Sequence, residues 1–275
     1  MATNRTFTMI KPHAVADNNV GAIIKMVEEG GFGGGSTELE FVGPNPGNAL
    51  KIKYYLKKRH TFGKMTLAIQ DMEGNEITTL APGKSKGINI VSWNYASKSP
   101  KLAAAKTFAF GGFTPVRVQA GMYKAVLKKG KDTYETTFEV KNDPKSFITA
   151  PERKEQYKTS KQLFDVQEDL AYMVYQINLM VNSAQDAIEA NAKATKVAQP
   201  LIDDLNELKN TLVVTTGDNY VGTAPPQLRE KLSTLYSDVA SNYEAPSAAQ
   251  KENINLLLER FNTAKADFKK IKSKS

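Results

Sequence analysis

Four groups of side chains in this sequence have types and spacings that could do chemistry. Trp93, with Tyr95 beside it in sequence and Tyr54 and Tyr55 from an earlier run, could form a flat aromatic face for stacking on a sugar ring, or could anchor a core. Asp71, Glu73, Asn75 and Glu76 in "DMEGNE" put oxygen ligands close together, but they lack the alternating Asp/Asn ladder and distal Glu of a calcium loop; a hairpin turn fits the same residues. The pairs Glu168/Asp169 and Asp203/Asp204 offer carboxylates, yet a di-metal site between helices also needs histidines at Glu-x-x-His spacing. No histidine follows His60, so no metal is expected. Phe108, Phe110 and Phe113 give one long stretch, 97–118, an apolar character unusual for a connection, and with Trp93 and Tyr95 they form the candidate interaction surface.

Composition narrows the classes. The chain has 275 residues, room for about two domains. With no cysteine, it has no disulfides, thiolate nucleophiles or Cys-ligated metals. No run of about 18 apolar residues predicts a membrane span, and the N-terminal residues show no uninterrupted apolar signal-peptide core. Net charge is +8, nearly all of the excess being lysine, with a final cluster "KADFKKIKSKS". Such charge could attract polyanions or anionic lipid weakly. Specific nucleic-acid readers use arginine forks, interleaved aromatics or a recognisable motif; none is present, so no specific nucleic-acid partner is expected. No cofactor is indicated.

The elements that would position these residues fall into two patterns. From about residue 37 to 146, short runs alternate with period two: "ALKIKYYL", "KMTLAIQD", "EITTL", "INIVSWN" and the hairpin "GMYKAVLKKGKDTYETTFEVK" turning at Lys129 to Lys131. Strands at this spacing, with no helix between them, predict an antiparallel β-sandwich. In "INIVSWN", Ile88, Ile90 and Ser92 share one face while Val91 and Trp93 share the other. From about 147 to 275 the period becomes helical. Thr149 and Glu152 offer a capping box. Leu163, Val166, Leu170, Val174, Ile177, Val181, Ala184 and Ile188 make one apolar stripe. Further stripes predict helices from about Pro200 to Leu212, from about Pro226 to Asn242, and after "APSAAQ". Together they predict an antiparallel bundle of about four helices. Met173 and Met180 suit core filling as well as a soft ligand pocket. The loop 215–226 reads as a connector or a contact loop. The stretch 97–118 should pack on a partner or on its own sandwich.

Two resemblances are carried by these residues. The opening "NRTFTMIKPHAVADNNVGAIIKMVEEGGF" resembles the start of bacterial nucleoside diphosphate kinases: a strand (Thr6 to Ile10), a Lys-Pro turn and an amphipathic helix with Ile23, Ile24 and Val27 inward. The resemblance implies that Lys11 corresponds to a phosphate-holding lysine. His13 stands where that family usually has Asp, and reads as a turn residue or a substitute phosphohistidine. The family's phosphoryl-accepting histidine region has no counterpart downstream, and one lysine cannot position a phosphate for transfer. "GGGS" at Gly33 to Ser36 then reads as a linker after a fused leader, natural or engineered.

The order "GPNPGNALKIKYYLKK", "KMTLAIQDMEGNEITTL", "GINIVSWNY", "VQAGMYKAVLKKGKDTYETTFEVKNDP" is similar to the Ig-like module near the C-terminus of bacterial sortilin-like (VPS10/BNR-repeat) proteins, often labelled glycosyl hydrolases. That module resembles the Ig-like domain of flagellar hook-capping proteins. "GTAPPQLREKLSTLYSDV" and "EAPSAAQKENINLLLERF" match the helical region that follows it. The expected architecture is multi-domain α+β: a βα leader (1–32), a linker (33–36), an Ig-like sandwich (37–146) and a helical bundle (147–275). The expected function is a non-catalytic accessory or docking module. Its partner would be a protein, a β-propeller or an envelope component, and the resemblance implies an exported protein. The alternatives are a carbohydrate- or envelope-binding module using Trp93 and nearby tyrosines, and a vestigial nucleotide-binding or glycoside hydrolase-related protein.

Overall fold

The computed structural model describes residues 47–109, 111–217 and 224–274. Residues 49–275 fall in one compact unit. Its described residues form the strands β1 (Leu50–Leu56), β2 (Met65–Gln70), β3 (Glu76–Leu80), β4 (Gly87–Trp93), β5 (Gly121–Lys129) and β6 (Asp132–Val140). Four helices follow: α1 (Ala150–Ala190), α2 (Thr195–Leu212), α3 (Leu228–Ser241) and α4 (Ala248–Lys274). The architecture is α+β, with two antiparallel sheets ordered β1-β4 and β3-β2-β5-β6.

Period-two patterning determines what the sheets bury. Leu50, Ile52, Tyr54 and Leu56 of β1 face inward, while Met65, Leu67 and Ile69 of β2 are fully buried. With Trp93, Ala125 and Leu127 they form one apolar cluster fed by both sheets. On β4 both faces are apolar in sequence. The structure turns Asn89, Val91 and Trp93 inward and leaves Ile88 and Ile90 exposed. The large indole decides the orientation, since it hides far more apolar area than an isoleucine. Trp93 is 1% exposed, its Nε1 donates to the Ala96 carbonyl at 2.8 Å, and it meets the rings of Tyr95, Tyr123 and Phe138. Asn89 is tolerated on the inner face because the turn before β4 satisfies it. Its amide donates to the Ser85 and Gly87 carbonyls and accepts from the Ser85 N–H.

The hairpin turns have local causes. Asp71 accepts from both the N–H and the side-chain amide of Asn75, each at 2.8 Å, which closes the β2–β3 connection. Gly130 supplies the positive φ (58°) at the first residue of the two-residue β5–β6 turn, where a side chain would be strained.

The helices begin where sequence signals and backbone chemistry agree, with two exceptions. Thr149 and Glu152 form the reciprocal capping box that opens α1. Pro200 does not start α2. The helix begins five residues earlier, after a 3-10 turn capped by Asn191, and runs through the proline at the loss of one N–H. Likewise α4 starts inside "APSAAQ", because Ser247 and Gln250 cap one another's backbone. The stripes of all four helices meet in a second apolar cluster that includes Leu163, Leu170, Ile177, Leu205, Leu212, Leu232, Tyr236 and Phe261. Met173 belongs to that core.

Removing the indole should therefore unfold rather than reshape. Trp93→Ala is expected to lower stability by about 3–5 kcal/mol, read as a lower urea midpoint by far-UV circular dichroism. An unchanged midpoint would place the ring outside the core.

Candidate functional site

The long connection between β4 and β5 is the most heavily bonded irregular segment. At its base Ser97 N–H donates to the Val116 carbonyl and Val118 N–H to the Tyr95 carbonyl, both at 2.8 Å. Ala96 and Arg117 form an isolated bridge there. Tyr95 takes a left-handed backbone (φ 57°) at the point where the chain leaves the strand. The body of the loop then seats on the helices. The sequence favoured its own sandwich or a separate partner for this segment, and the structure corrects that expectation. Ala103 and Val116 enter the helical core, where small and β-branched apolar side chains fill gaps between the long helical residues.

Polar groups fix the seat. Lys106 N–H donates to the Val214 carbonyl at 2.9 Å. Arg229, mostly buried at the start of α3, donates to the Thr107 carbonyl at 3.0 Å and pairs with Glu230 at 2.8 Å. Glu230 also accepts from the Thr107 hydroxyl (2.8 Å) and caps the Gln227 N–H. Further along α3, the Tyr236 hydroxyl donates to the Thr114 carbonyl, and Arg117 reaches the Ser241 carbonyl at 3.0 Å while lying over the Tyr243 ring. Burial, and then the nearby Glu168 carboxylate, push the Tyr236 phenol well above its ordinary pKa. Gly111 and Gly112 permit the close approach. A Cβ on Gly111 would lie 2.3 Å from the Ser237 Cβ, and one on Gly112 would lie 2.6 Å from the Leu102 side chain.

The predicted surface residues do not act together. Trp93 is a core residue, so it has no free face for a sugar; Tyr95 packs half-buried against the same cluster. Phe108 and Phe113 are 57% and 49% exposed, with ring centroids 6.4 Å apart. Phe110, Lys11 and His13 lie outside the described residues, as do residues 218–223 of the loop 215–226. Both oxygens of Asp71 are engaged by Asn75, chiefly the side-chain amide, and this holds its carboxyl below the usual range. Glu168 meets Lys98, Asp169 meets Lys265, and Asp203 accepts from Gln199. Among the described residues no group of three His, Cys, Asp or Glu could hold a metal, and no helix is long and apolar enough to cross a membrane.

The comparisons with known proteins bear on the leader. The chain is 59% identical over 32 residues to the nucleoside diphosphate kinase of Flavobacterium psychrophilum. That match covers 12% of this chain and 23% of the kinase. The chain thus spans less than a quarter of the length of this kinase. No family model matches the chain. No solved structure matches it.

A second site was not legible in the sequence. A groove of about 810 Å³ opens where the end of β1 and the turn after it meet the tip of the β5–β6 hairpin. Its lining brings the rings of Tyr54, Tyr55, Phe62 and Tyr134 together with Lys57, Lys58, Arg59, His60 and Lys129. Tyr54 and Tyr55 are conspicuous aromatics in sequence. Phe62 follows on the turn after β1, and Tyr134 joins them only because the β5–β6 hairpin ends beside that turn. Charge counted by segment, rather than over the whole chain, is the signal that would have pointed here. Between Ala49 and Lys131 there are 16 Lys and Arg residues against three acids, Asp71, Glu73 and Glu76.

Two outcomes test the loop seat. Gly111→Ala should cost about 1–3 kcal/mol and open trypsin cleavage at Lys106 or Arg117 under native conditions; continued resistance would mean the loop does not depend on that contact. A phenol whose pKa is raised on folding stabilises fully below the unfolded tyrosine value of about 10, and this contribution is lost as pH climbs above it. The urea midpoint should therefore fall more between about pH 9 and 11 in the parent than in Tyr236→Phe. Equal falls would refute the burial of that hydroxyl.

Proposed function

We propose that residues 37–275 form a non-catalytic accessory module, a rigid docking platform or spacer of the kind that follows the propeller in sortilin-like proteins. In this reading the two sheets are an Ig-like sandwich and the four helices an antiparallel bundle. The observation that carries it is the seating of the loop 97–118 on α1 and α3, which turns strands and helices into one block. That block holds the Phe108 and Phe113 rings outward side by side, on backbone anchored from both directions. Exposed aromatics on a rigid support suit a protein interface, since little side-chain entropy is lost on binding. The order of strand and helix motifs supports the same assignment. The partner would be a β-propeller or another envelope protein.

The kinase-like opening is read as a leader without its enzyme. A match to less than a quarter of the kinase supplies one lysine for a reaction that needs several cationic groups around the phosphate. The carbohydrate reading loses its anchor with the burial of Trp93.

The platform is tested by affinity capture from envelope extract of the cells that make the protein, comparing the parent chain with a Phe108→Ser/Phe113→Ser double variant. One stoichiometric protein held at high salt by the parent, and lost by a variant of unchanged melting temperature, is the expected result. Equal retention by both would remove the ring pair from the interface.

A further inference from the structure

We propose that the groove between the end of β1 and the β5–β6 hairpin binds single-stranded nucleic acid without sequence preference. Proteins that do this combine a cationic groove, which tracks the phosphates, with exposed aromatic faces on which successive bases stack. Both are present here in one concavity. Phe62 is 87% exposed, and Tyr55 and Tyr134 are also largely open. These rings make no ring–ring contacts with one another among the described residues, so their faces are free to stack. The same lining carries the cations Lys57, Lys58 and Arg59 on the turn and Lys129 on the hairpin, with the His60 ring beside them. No Asp or Glu lines the groove. Lys129 has a loose pair with Asp132 at 4.0 Å, both partly solvated, which is a weak competitor for a phosphate.

The charge extends beyond the groove in one direction. Tyr55 lies on the outer face of β1, and the same face carries Lys53 and Lys51, opposite Ile90 and Ser92 of β4. Asp132 and Glu135 lie either side of Tyr134 on β6, and the three acids between Ala49 and Lys131 cluster at the β2–β3 turn. The three are separated from the groove by the length of β2, whose first residue, Met65, pairs with Lys129 while Asp71 follows its last. A strand of β2's length spans roughly 20 Å, two Debye lengths at physiological salt. The five residues Lys57, Lys58, Arg59, Lys129 and Asp132 leave the groove net positive. The rings favour a ligand with flat faces over a bare polyanion, and a concave lining favours a strand over a membrane surface, which would meet a protruding patch. The groove volume lies within the range of about 300–1,000 Å³ typical of ligand pockets.

This site is independent of the Phe108/Phe113 platform. Its test is fluorescence anisotropy of the full chain with labelled oligothymidylate and oligouridylate across about 50 to 200 mM salt. Binding to both is expected, with log affinity falling linearly in log salt at about −0.7 per phosphate contacted. Phe62→Ser/Tyr134→Ser should weaken it at least tenfold with little change in slope. Both rings are exposed, so the fold should survive. Lys57→Ala/Lys58→Ala should weaken binding and flatten the slope by about 1 or more. Lys269→Ala/Lys270→Ala, the same charge removed from α4, should leave it unchanged. The proposal is overturned if neither oligonucleotide binds at about 50 mM salt. It is overturned equally if the α4 variant loses as much as the groove variants, or if an acidic polysaccharide or anionic vesicles bind more tightly and ignore the ring substitutions.

Discussion

The structure depends on one insertion. A connection between two strands gives up Ala103 and Val116 to a core made otherwise by helices, and α3 holds it there through Arg229, Glu230 and Tyr236. A connection usually runs over the surface because its backbone polar groups need water. Here helix side chains take water's place at two loop carbonyls, those of Thr107 and Thr114. Gln167 and Ser233 extend the polar seam between α1 and α3. The buried Gln167 Nε2 and Arg229 Nε, with no hydrogen-bond partner among the described residues, are the remaining cost of placing polar groups in that seam.

Features written in adjacent residues were legible in the sequence. The alternation in β1 and β2, the Asp71–Asn75 turn and the Thr149–Glu152 cap are set by residues at most a few positions apart. Where a local rule had two solutions, the sequence left both open. The strand β4 is apolar on both faces, and only the opposing sheet shows that Trp93 rather than Ile90 is buried. Pro200 offers a plausible start, but α2 begins earlier because Asn191 already provides a cap before it. The seat of the loop joins Thr107 to Glu230 and Arg117 to Ser241, more than a hundred positions apart, and no periodicity encodes such a pairing. The groove was illegible for the same reason, since its walls come from the β1 turn and from β6.

Charge shows how averaging hides structure. A net charge of +8 spread over 275 residues reads as solvated surface. The excess of the segment from Ala49 to Lys131 is larger than that of the whole chain, so the remainder is net acidic. One cross-tie follows this polarity, Lys98 to Glu168, while Arg229 of α3 donates to the Thr107 carbonyl. The apolar contacts of Ala103 and Val116 lie with these ties.

The separation along the chain between the loop and its seat also sets a clock. The strands leave the ribosome with the loop 97–118 complete, while Arg229, Tyr236 and Ser241 have yet to be made. At about 5–20 residues per second, Ser241 follows Arg117 by roughly 6–25 seconds. For that interval Ala103 and Val116 lack the part of their seat that α3 supplies. Those seconds are the period of greatest exposure to aggregation and proteolysis, and they end when α3 emerges and covers the loop.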